Sequence, residues 1–309
     1  MTLQQLEYVV ALDNHRHFVK AANSCFVTQP TLTMQVKKLE EEIGIKLFDR
    51  DSTPLKPTAA GENIIIKARQ VLMEVAQMKA FVSNETESVE GTFTLGIIPT
   101  IAPYLLPLFL PGFIAANPKT HLIIKELPTH QIINQLKNGL LDMGLLSTPL
   151  EEKMIREIAL YYEPFLLYLP HKHNWTQTSD IDPKQLNQKE MLLLEEGHCF
   201  REQALAICHN RQQNKGRNFE YESGSIEALK GLVKQGMGYT LVPELAVTDE
   251  LGADNIKRFV SPQPAREISL VVHNGFTKEA LINRLHQSII AVIPKQFVKA
   301  KTYTKVKWH

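Results

Sequence analysis

Two cysteines nine residues apart carry the plainest chemistry in this 309-residue chain. They sit in the run Leu194-Glu-Glu-Gly-His-Cys-Phe-Arg-Glu-Gln-Ala-Leu-Ala-Ile-Cys208. Cys199 follows Gly197-His198 where a helix should begin, and His198 and Arg201 flank it. A helix N-terminus and neighbouring cations favour a thiolate, the reactive form of cysteine. Cys208 closes an apolar stretch, Ala204 to Ile207, that reads as a sheltered face. One reactive and one sheltered thiol is the arrangement expected of a sensing and a resolving cysteine. On a continuous helix, nine residues rise roughly 13 Å, whereas a disulfide needs Cα atoms about 4.4–6.8 Å apart. Bond and helix therefore exclude one another, and pairing would require the segment to refold. Free cysteines also pack as small hydrophobes, so a purely structural pair stands as the other reading.

Other chemistries find little support. The sequence has no Walker loop, no Gly-rich dinucleotide fingerprint and no His-Glu-x-x-His helix. His171-Lys-His173 lacks a nearby third ligand, which favours a surface loop over a metal site. Gly224-Ser225 before Ile226 suits either an anion-holding helix start or plain capping. We therefore expect no metal and no cofactor. With three cysteines the chain is not a disulfide scaffold, and a transient, redox-sensing bond fits a reducing compartment better than a structural one. No run approaches the ~18 apolar residues of a membrane span, and Met1-Thr-Leu-Gln-Gln-Leu-Glu7 does not resemble a signal peptide. A cytoplasmic protein without a membrane partner is expected.

Formal net charge is +1, and residues 1–90 hold ten Lys/Arg against twelve Asp/Glu, so charge does not announce a nucleic acid. Local pattern does. Leu3, Leu6, Val9, Val10 and Phe18 suggest a first amphipathic helix leading into a second, which runs through Val19–Ser24. Thr28 is a good N-cap for a third helix, with Pro30 in its first turn. Leu32, Val36, Leu39 and Ile43 form the buried stripe of that helix. Gln29, Thr31, Thr33, Gln35 and Lys37 fall on or near its open side, where short polar groups and a cation suit base edges and phosphates. Asp49 to Pro57 reads as a hairpin wing bearing Arg50 and Lys56. Next, Thr58 can cap a long helix reaching about Ser83, whose Ile64, Ala68, Val71, Val75, Met78 and Val82 repeat as a coiled-coil seam. Packing of this helix on its own domain is the alternative. Ser83–Gly91 is polar and reads as a hinge.

From Thr92 onward, strand and helix signals alternate. Strands are expected at Thr92–Ile98, His121–Leu127, Asp142–Leu146, Phe165–Leu169, Met191–Leu194 and Ile268–His273. Helices are expected at Tyr104–Asn117, Thr129–Asn138, Ile226–Gln235 and Lys278–Ile293. This is an open α/β pattern, in which ligands bind beyond the carboxyl ends of strands. Thr100, Thr129 and the Gly197–Cys199 loop all fall at such ends and could converge on one crevice. Lys295, Lys299, Lys301, Lys305 and Lys307 close the chain as a solvated basic tail.

Ala21-Ala22, Thr28-Gln-Pro-Thr-Leu32, Val36, Leu39-Glu40, Ile43-Gly44 and Leu47-Phe-Asp-Arg50 resemble the signature of the LysR-type transcriptional regulators. Thr33 stands where serine is commoner, keeping the hydroxyl. Gly96-Ile-Ile-Pro-Thr100, Pro103-Tyr-Leu-Leu-Pro107, Thr129-His-Gln131 and the cysteine run resemble the peroxide-sensing branch of that family. The resemblance implies an α/β chain of four parts. A winged helix-turn-helix (1–58) leads to a dimerisation helix and hinge (59–90). A two-subdomain, periplasmic-binding-protein-like α/β regulatory domain (91–294) follows, and then the basic tail (295–309). Subdomain I would cover about 91–164 plus 267–294, and subdomain II about 165–266. It places Gln29, Pro30, Thr31, Thr33 and Lys37 on the recognition helix and Arg50 on the wing. It makes Cys199 the peroxidatic and Cys208 the resolving thiol of a reversible disulfide. Thr100, Thr129, His130, His198, Glu202 and Arg266 would surround the peroxide, with Glu202 standing where aspartate is usual. Implied partners are a double-stranded DNA operator, hydrogen peroxide, a cytosolic dithiol reductant and RNA polymerase. The assembly implied is a homodimer through residues 59–83 and a homotetramer. The expected function is redox-responsive control of oxidative-stress genes, not enzymatic turnover. Two rivals are a LysR-type regulator of a small co-inducer with incidental cysteines, and a thiol peroxidase, which leaves residues 1–60 unexplained.

Overall fold

The computed structural model describes residues 1–80, 89–208, 224–298 and 303–307. The chain divides into two compact units, one built on the N-terminal elements through Ala80 and one on the elements from Gly91 onward.

In the first unit, α1 (Leu3–His15), α2 (Phe18–Ser24) and α3 (Gln29–Ile43) are followed by a two-strand wing, β1 (Phe48–Asp49) with β2 (Lys56–Pro57), and by α4 (Ala59–Ala80). A capping box starts α1: Gln5 N–H donates to Thr2 Oγ1 at 3.2 Å, and Thr2 N–H donates to Gln5 Oε1 at 2.9 Å. Thr28 caps α3 through the Thr31 N–H, and Gly44 ends it at φ 74°. Leu32, Val36 and Leu39 face the core as their spacing predicts, together with Leu6, Val9, Leu12, Phe48, Ile65 and Ala68. Leu3, expected on that face, is 45% exposed, and Gln5 and Tyr8 are buried instead. Glu40 anchors the wing from within: its carboxylate accepts from Leu47 N–H at 2.7 Å, Phe48 N–H at 3.3 Å and Arg50 at 2.9 Å. Gly61 permits α4 to pass close by, since a Cβ there would lie 2.0 Å from the Leu47 carbonyl oxygen.

The start of α4 packs within its own unit. Ile65 and Ala68 are buried and Ile64 is partly so, while Val71 and Met78 are exposed. The expected seam thus divides, its first residues serving the local core and the later ones facing outward. Val82, the end of the helix near Ser83 and most of the Ser83–Gly91 hinge lie outside the described residues.

Among the described residues, the second unit is built on a ten-stranded sheet. β3 (Gly91–Ile97) lies parallel to β4 (Thr120–Glu126) on one side and β5 (Met143–Thr148) on the other. α5 (Ala102–Ala116) and α6 (Thr129–Lys137) make the connections. Two long antiparallel strands, β6 (Ile155–Tyr168) and β11 (Gln263–His273), then run side by side, and β11 also pairs with β5. Past Pro164, β6 changes partners to β9 (Tyr239–Pro243) and β10 (Ile256–Phe259), so one strand serves both halves of the sheet. The shorter strands β7 (Asp180–Ile181) and β8 (Met191–Leu192) pair with β10 and β9. α7 (Cys199–Ile207), α8 (Ile226–Lys234) and α9 (Glu279–Val292) complete this unit's α-helices among the described residues.

Several expectations change here. The strand expected at Phe165–Leu169 is the end of one that begins at Ile155. β9 and β10 were not anticipated. The basic tail is not simply solvated: Phe297 is buried against Tyr161, and β12 (Tyr303–Lys305) adds to β11. Lys299 and Lys301 lie outside the described residues. His173 is not a freely solvated loop residue: its Nδ1 accepts from Trp175 N–H, and its ring forms a cluster with those of Trp175 and Tyr239. Ser225 caps α8, accepting from Ala228 N–H at 3.3 Å. Among the described residues, no helix is long and apolar enough to cross a membrane.

Candidate functional site

Cys199 is the first residue of α7, and His198 is its N-cap. The thiol is buried, with only 3% of the residue exposed, and neither it nor the Cys208 thiol is in a disulfide. Burial pushes the Cys199 thiol above its ordinary value. The Thr129 hydroxyl, the Arg266 guanidinium and the backbone N–H groups of Phe200 and Ser147 all pull the other way without prevailing. The cation that favours the thiolate is therefore Arg266, on β11, and not the flanking Arg201. Arg201 turns away and donates to the Leu194 carbonyl at 2.7 Å. His198 is buried too, and its Nε2 faces Glu195 Oε1 at 3.2 Å.

Arg266 is fully buried and organises the surroundings. Its Nε and Nη2 donate to Glu163 Oε2 at 2.9 and 2.7 Å, and its Nη1 and Nη2 donate to Thr100 Oγ1 and Thr100 O at 2.8 and 2.9 Å. The guanidinium also lies 5.1 Å from the centre of the Phe200 ring. Burial raises the Glu163 carboxyl, and Arg266 opposes that rise. One cation thus ties the loop after β3, the strand β6 and the first turn of α7 around the thiol. Thr129, at the start of α6, is buried, and its hydroxyl has no aligned hydrogen-bond partner, though it lies close enough to the sulfur to favour the thiolate. An unsatisfied hydroxyl costs free energy in a buried site unless a ligand completes it.

The structure thus brings together Cys199, Thr129 and Thr100, the strand-end residues expected in one crevice, and adds Arg266 from within β11. His130 is exposed and lies beside Gly197, where an added Cβ would come within 3.9 Å of its ring. Glu202 lies on the exposed side of α7. Gln203 faces inward instead, fully buried, and donates to Ser147 Oγ at 3.0 Å and to the Val306 carbonyl at 2.9 Å. Sequence reading missed Glu163, Ser147 and Gln203. Gln203 had a usable signal, since a residue four after Cys199 shares its helix face.

Cys208 caps the other end of α7 and is buried in an apolar cluster with Phe200, Ala204 and Ile207. Its thiol points at the Leu186 carbonyl, 3.6 Å away. An intact helix therefore stands between the two sulfurs, and the roughly 13 Å rise of nine helical residues keeps them from bonding.

On the first unit, Gln29, Pro30 and Lys37 are exposed and Thr31 and Thr33 half-buried along α3, leaving that face open. Lys37 makes a surface pair with Glu41 at 3.6 Å. Arg50 stays exposed while bonded to Glu40, with its guanidinium 5.8 Å from the centre of the Phe18 ring.

Residues 3–62 match the bacterial regulatory helix-turn-helix protein, lysR family, and residues 86–293 match the LysR substrate binding domain. The chain is 39% identical over 277 residues to the hydrogen peroxide-inducible genes activator of Haemophilus influenzae, covering 89% of this chain and 91% of that one. It is 37% identical over 301 residues to the DNA-binding transcriptional dual regulator OxyR of Escherichia coli K12, covering 97% and 98%. A full-length OxyR variant from Pseudomonas aeruginosa superposes with a TM-score of 0.81 at 33% identity, over 95% of this chain and 99% of that one. A hydrogen peroxide-bound cysteine mutant of Corynebacterium glutamicum OxyR gives a TM-score of 0.62 at 27% identity, over 94% and 92%.

Proposed function

Because this chain belongs to the LysR-type transcriptional regulators, in their hydrogen peroxide-responsive OxyR branch, we propose that it senses peroxide through a reversible Cys199–Cys208 thiol switch. The observation that carries this reading is a buried thiol beside the Thr129 hydroxyl, which has no aligned hydrogen-bond partner, and under the influence of the Arg266 guanidinium.

In the first step the Cys199 thiolate attacks one oxygen of hydrogen peroxide. The O–O bond breaks, a sulfenic acid forms, and the leaving hydroxide takes up a proton to become water. Thr129 and Arg266 are placed to orient the oxidant and to stabilise charge on the departing oxygen. In the second step the Cys208 sulfur attacks the sulfenic sulfur, releasing a second water and closing the disulfide. A dithiol reductant returns two electrons and two protons to reset the switch. Closure requires α7 to unwind, which would repack its neighbours and, in a dimer or tetramer, change the spacing of the helix-turn-helix units on an operator. Thr100, His130 and His198 border the crevice in this reading, and Glu202 acts from outside it. On the DNA side, Gln29, Pro30, Thr31, Thr33 and Lys37 present the reading face, and Arg50 braces the wing. The outward-facing part of α4 supports a homodimer contact, and RNA polymerase is the partner through which such a regulator would act.

The test is near-stoichiometric peroxide added to the reduced full-length protein, followed by disulfide mapping and footprinting on operator DNA. A Cys199–Cys208 bond accompanied by an altered footprint is expected, with Cys208→Ser arrested at the sulfenic acid. An unchanged footprint, or a peroxide response that survives Cys199→Ser, sinks the proposal and favours a co-inducer.

A further inference from the structure

Behind the redox helix lies a segment that the thiol chemistry does not use. β12 extends β11 in parallel, pairing Gln263 with Tyr303, Pro264 with Thr304 and Ala265 with Lys305. The chain continues to Val306, whose N–H donates to the Ala265 carbonyl at 2.9 Å. The Val306 carbonyl in turn accepts from Gln203 Nε2, also at 2.9 Å. Its side chain is buried in the same cluster as Phe200, Ala204, Ile207 and Cys208. Lys305 adds an ion pair to Glu267 at 2.7 Å. Gln203 lies one helical turn beyond Cys199, and Ala265 immediately precedes Arg266. The segment therefore grips both the helix that carries the thiol and the strand that carries its guanidinium.

From this junction we infer that residues 303–307 form a strap that holds α7 in its helical, dithiol state and is released when Cys199 and Cys208 bond. The inference rests on the thiol-switch reading. Gln203 lies between the two cysteines, so its side chain leaves Val306 when the helix unwinds. A contact present in only one of two states favours that state, and the coupling is reciprocal. The strap accordingly makes the pair harder to oxidise, and oxidation in turn frees the strap. No electrons pass through it: the two electrons move from the thiols to peroxide as described above.

The experiment titrates the full-length protein against dithiothreitol redox buffers and counts disulfide at each potential. Val306→Asp and a chain ending at residue 302 are compared with wild type, and Val306→Ile serves as the conservative variant. The two disruptive variants should shift the dithiol–disulfide equilibrium roughly tenfold toward the disulfide, which is about 30 mV more negative. Val306→Ile should titrate with wild type. Hydrogen exchange on unmutated protein supplies a readout that does not depend on a variant folding. The Val306 amide should be protected in the reduced protein and lose that protection on oxidation. If wild type forms the disulfide while both variants keep its potential and the Val306 amide stays protected, the strap is wrong and the switch stands. If wild type forms no Cys199–Cys208 bond at all, the switch reading falls and takes the strap with it.

Discussion

Replacing Arg266 by methionine separates the folding role of this residue from its chemical one. The guanidinium makes two contacts to Glu163 Oε2 and two to Thr100, all between 2.7 and 2.9 Å. Once it is gone, the buried Glu163 carboxylate keeps the Leu245 N–H at 3.3 Å as its remaining hydrogen bond of those described. Breaking a buried pair from one side costs about 3–5 kcal/mol, a large part of the ~5–15 kcal/mol that holds a typical domain together. The sign with pH follows from Glu163. Burial already raises its carboxyl in the folded protein, and loss of Arg266 removes the opposing influence. An acid with a raised folded-state value is penalised as pH climbs from the unfolded value through the folded one. The deficit of Arg266→Met should therefore be small below about pH 4.5 and grow toward neutrality. Adding Glu163→Leu removes the stranded charge and should restore most of the stability, because an apolar pair often replaces a buried ion pair at little cost. The thiol should not recover with it. Arg266 lowers the Cys199 thiol, so both variants should alkylate more slowly at neutral pH, by about tenfold for each unit of pKa rise. Urea unfolding across pH and iodoacetamide kinetics measure the two effects. A double variant that regains the alkylation rate along with its stability refutes the assignment of Arg266 to the thiol.

Three more outcomes follow from the same structure. Thr129→Val keeps the shape of a side chain whose buried hydroxyl has no aligned partner, so melting temperature should hold or rise while sulfenic acid formation slows about 10²-fold; a wild-type rate of trapping by dimedone contradicts this. Since burial keeps the Cys199 thiol raised, its thiolate fraction, and with it the peroxide rate constant, should climb about tenfold per pH unit between about pH 6 and 8. A flat stopped-flow profile there would mean that the thiolate is already fully formed. Gly61→Ala puts a Cβ 2.0 Å from the Leu47 carbonyl oxygen and should destabilise the DNA-reading unit by at least ~1–3 kcal/mol, whereas Gly112→Ala, on a helix with open space around it, should gain about 0.5–1 kcal/mol; calorimetry of both variants distinguishes them.

Legibility in the sequence tracked how local each cause was. α3 could be read almost to the residue because a Thr28 cap, Pro30 and a 4-3-4 stripe lie within one stretch of chain. Thr100, Thr129 and Cys199 were recoverable from the rule about strand ends. The Glu163–Arg266 pair was not, because its members are 103 residues apart and meet only through the register of β6 on β11. The start of β6 was hidden by Arg156, Glu157 and Glu163 and by Pro164, a residue that argues against a strand interior. β6 tolerates Pro164 at the point where it leaves one half of the sheet for the other. The reactive setting of Cys199 was misassigned for a similar reason. Neighbours in sequence, His198 and Arg201, point elsewhere, and the cation that acts on the sulfur comes from β11. At the C-terminus, five lysines suggested solvent, although Tyr303-Thr-Lys-Val306 also carried the alternating pattern of a strand.

On the thiol-switch reading, the packing of α7 also bears on how readily the switch resets. Unwinding the helix displaces Phe200 and Ile207, both nearly fully buried. Fully burying two such side chains contributes roughly 3–6 kcal/mol. At about 1.4 kcal/mol per 30 mV for a two-electron couple, that is roughly 65–130 mV by which the folded dithiol state resists the disulfide. Structural disulfides of secreted proteins sit below about −300 mV and resist cytosolic reductants. Raising such a bond by this amount brings it to about −235 to −170 mV, a range from which a dithiol system such as thioredoxin, at about −270 mV, can reduce it. The apolar core around Phe200, Ile207 and Cys208 would then set the resetting potential, while Thr129 and Arg266 set the rate of firing. Substitutions in the first group should move the midpoint and leave the peroxide rate alone, and substitutions in the second should do the reverse.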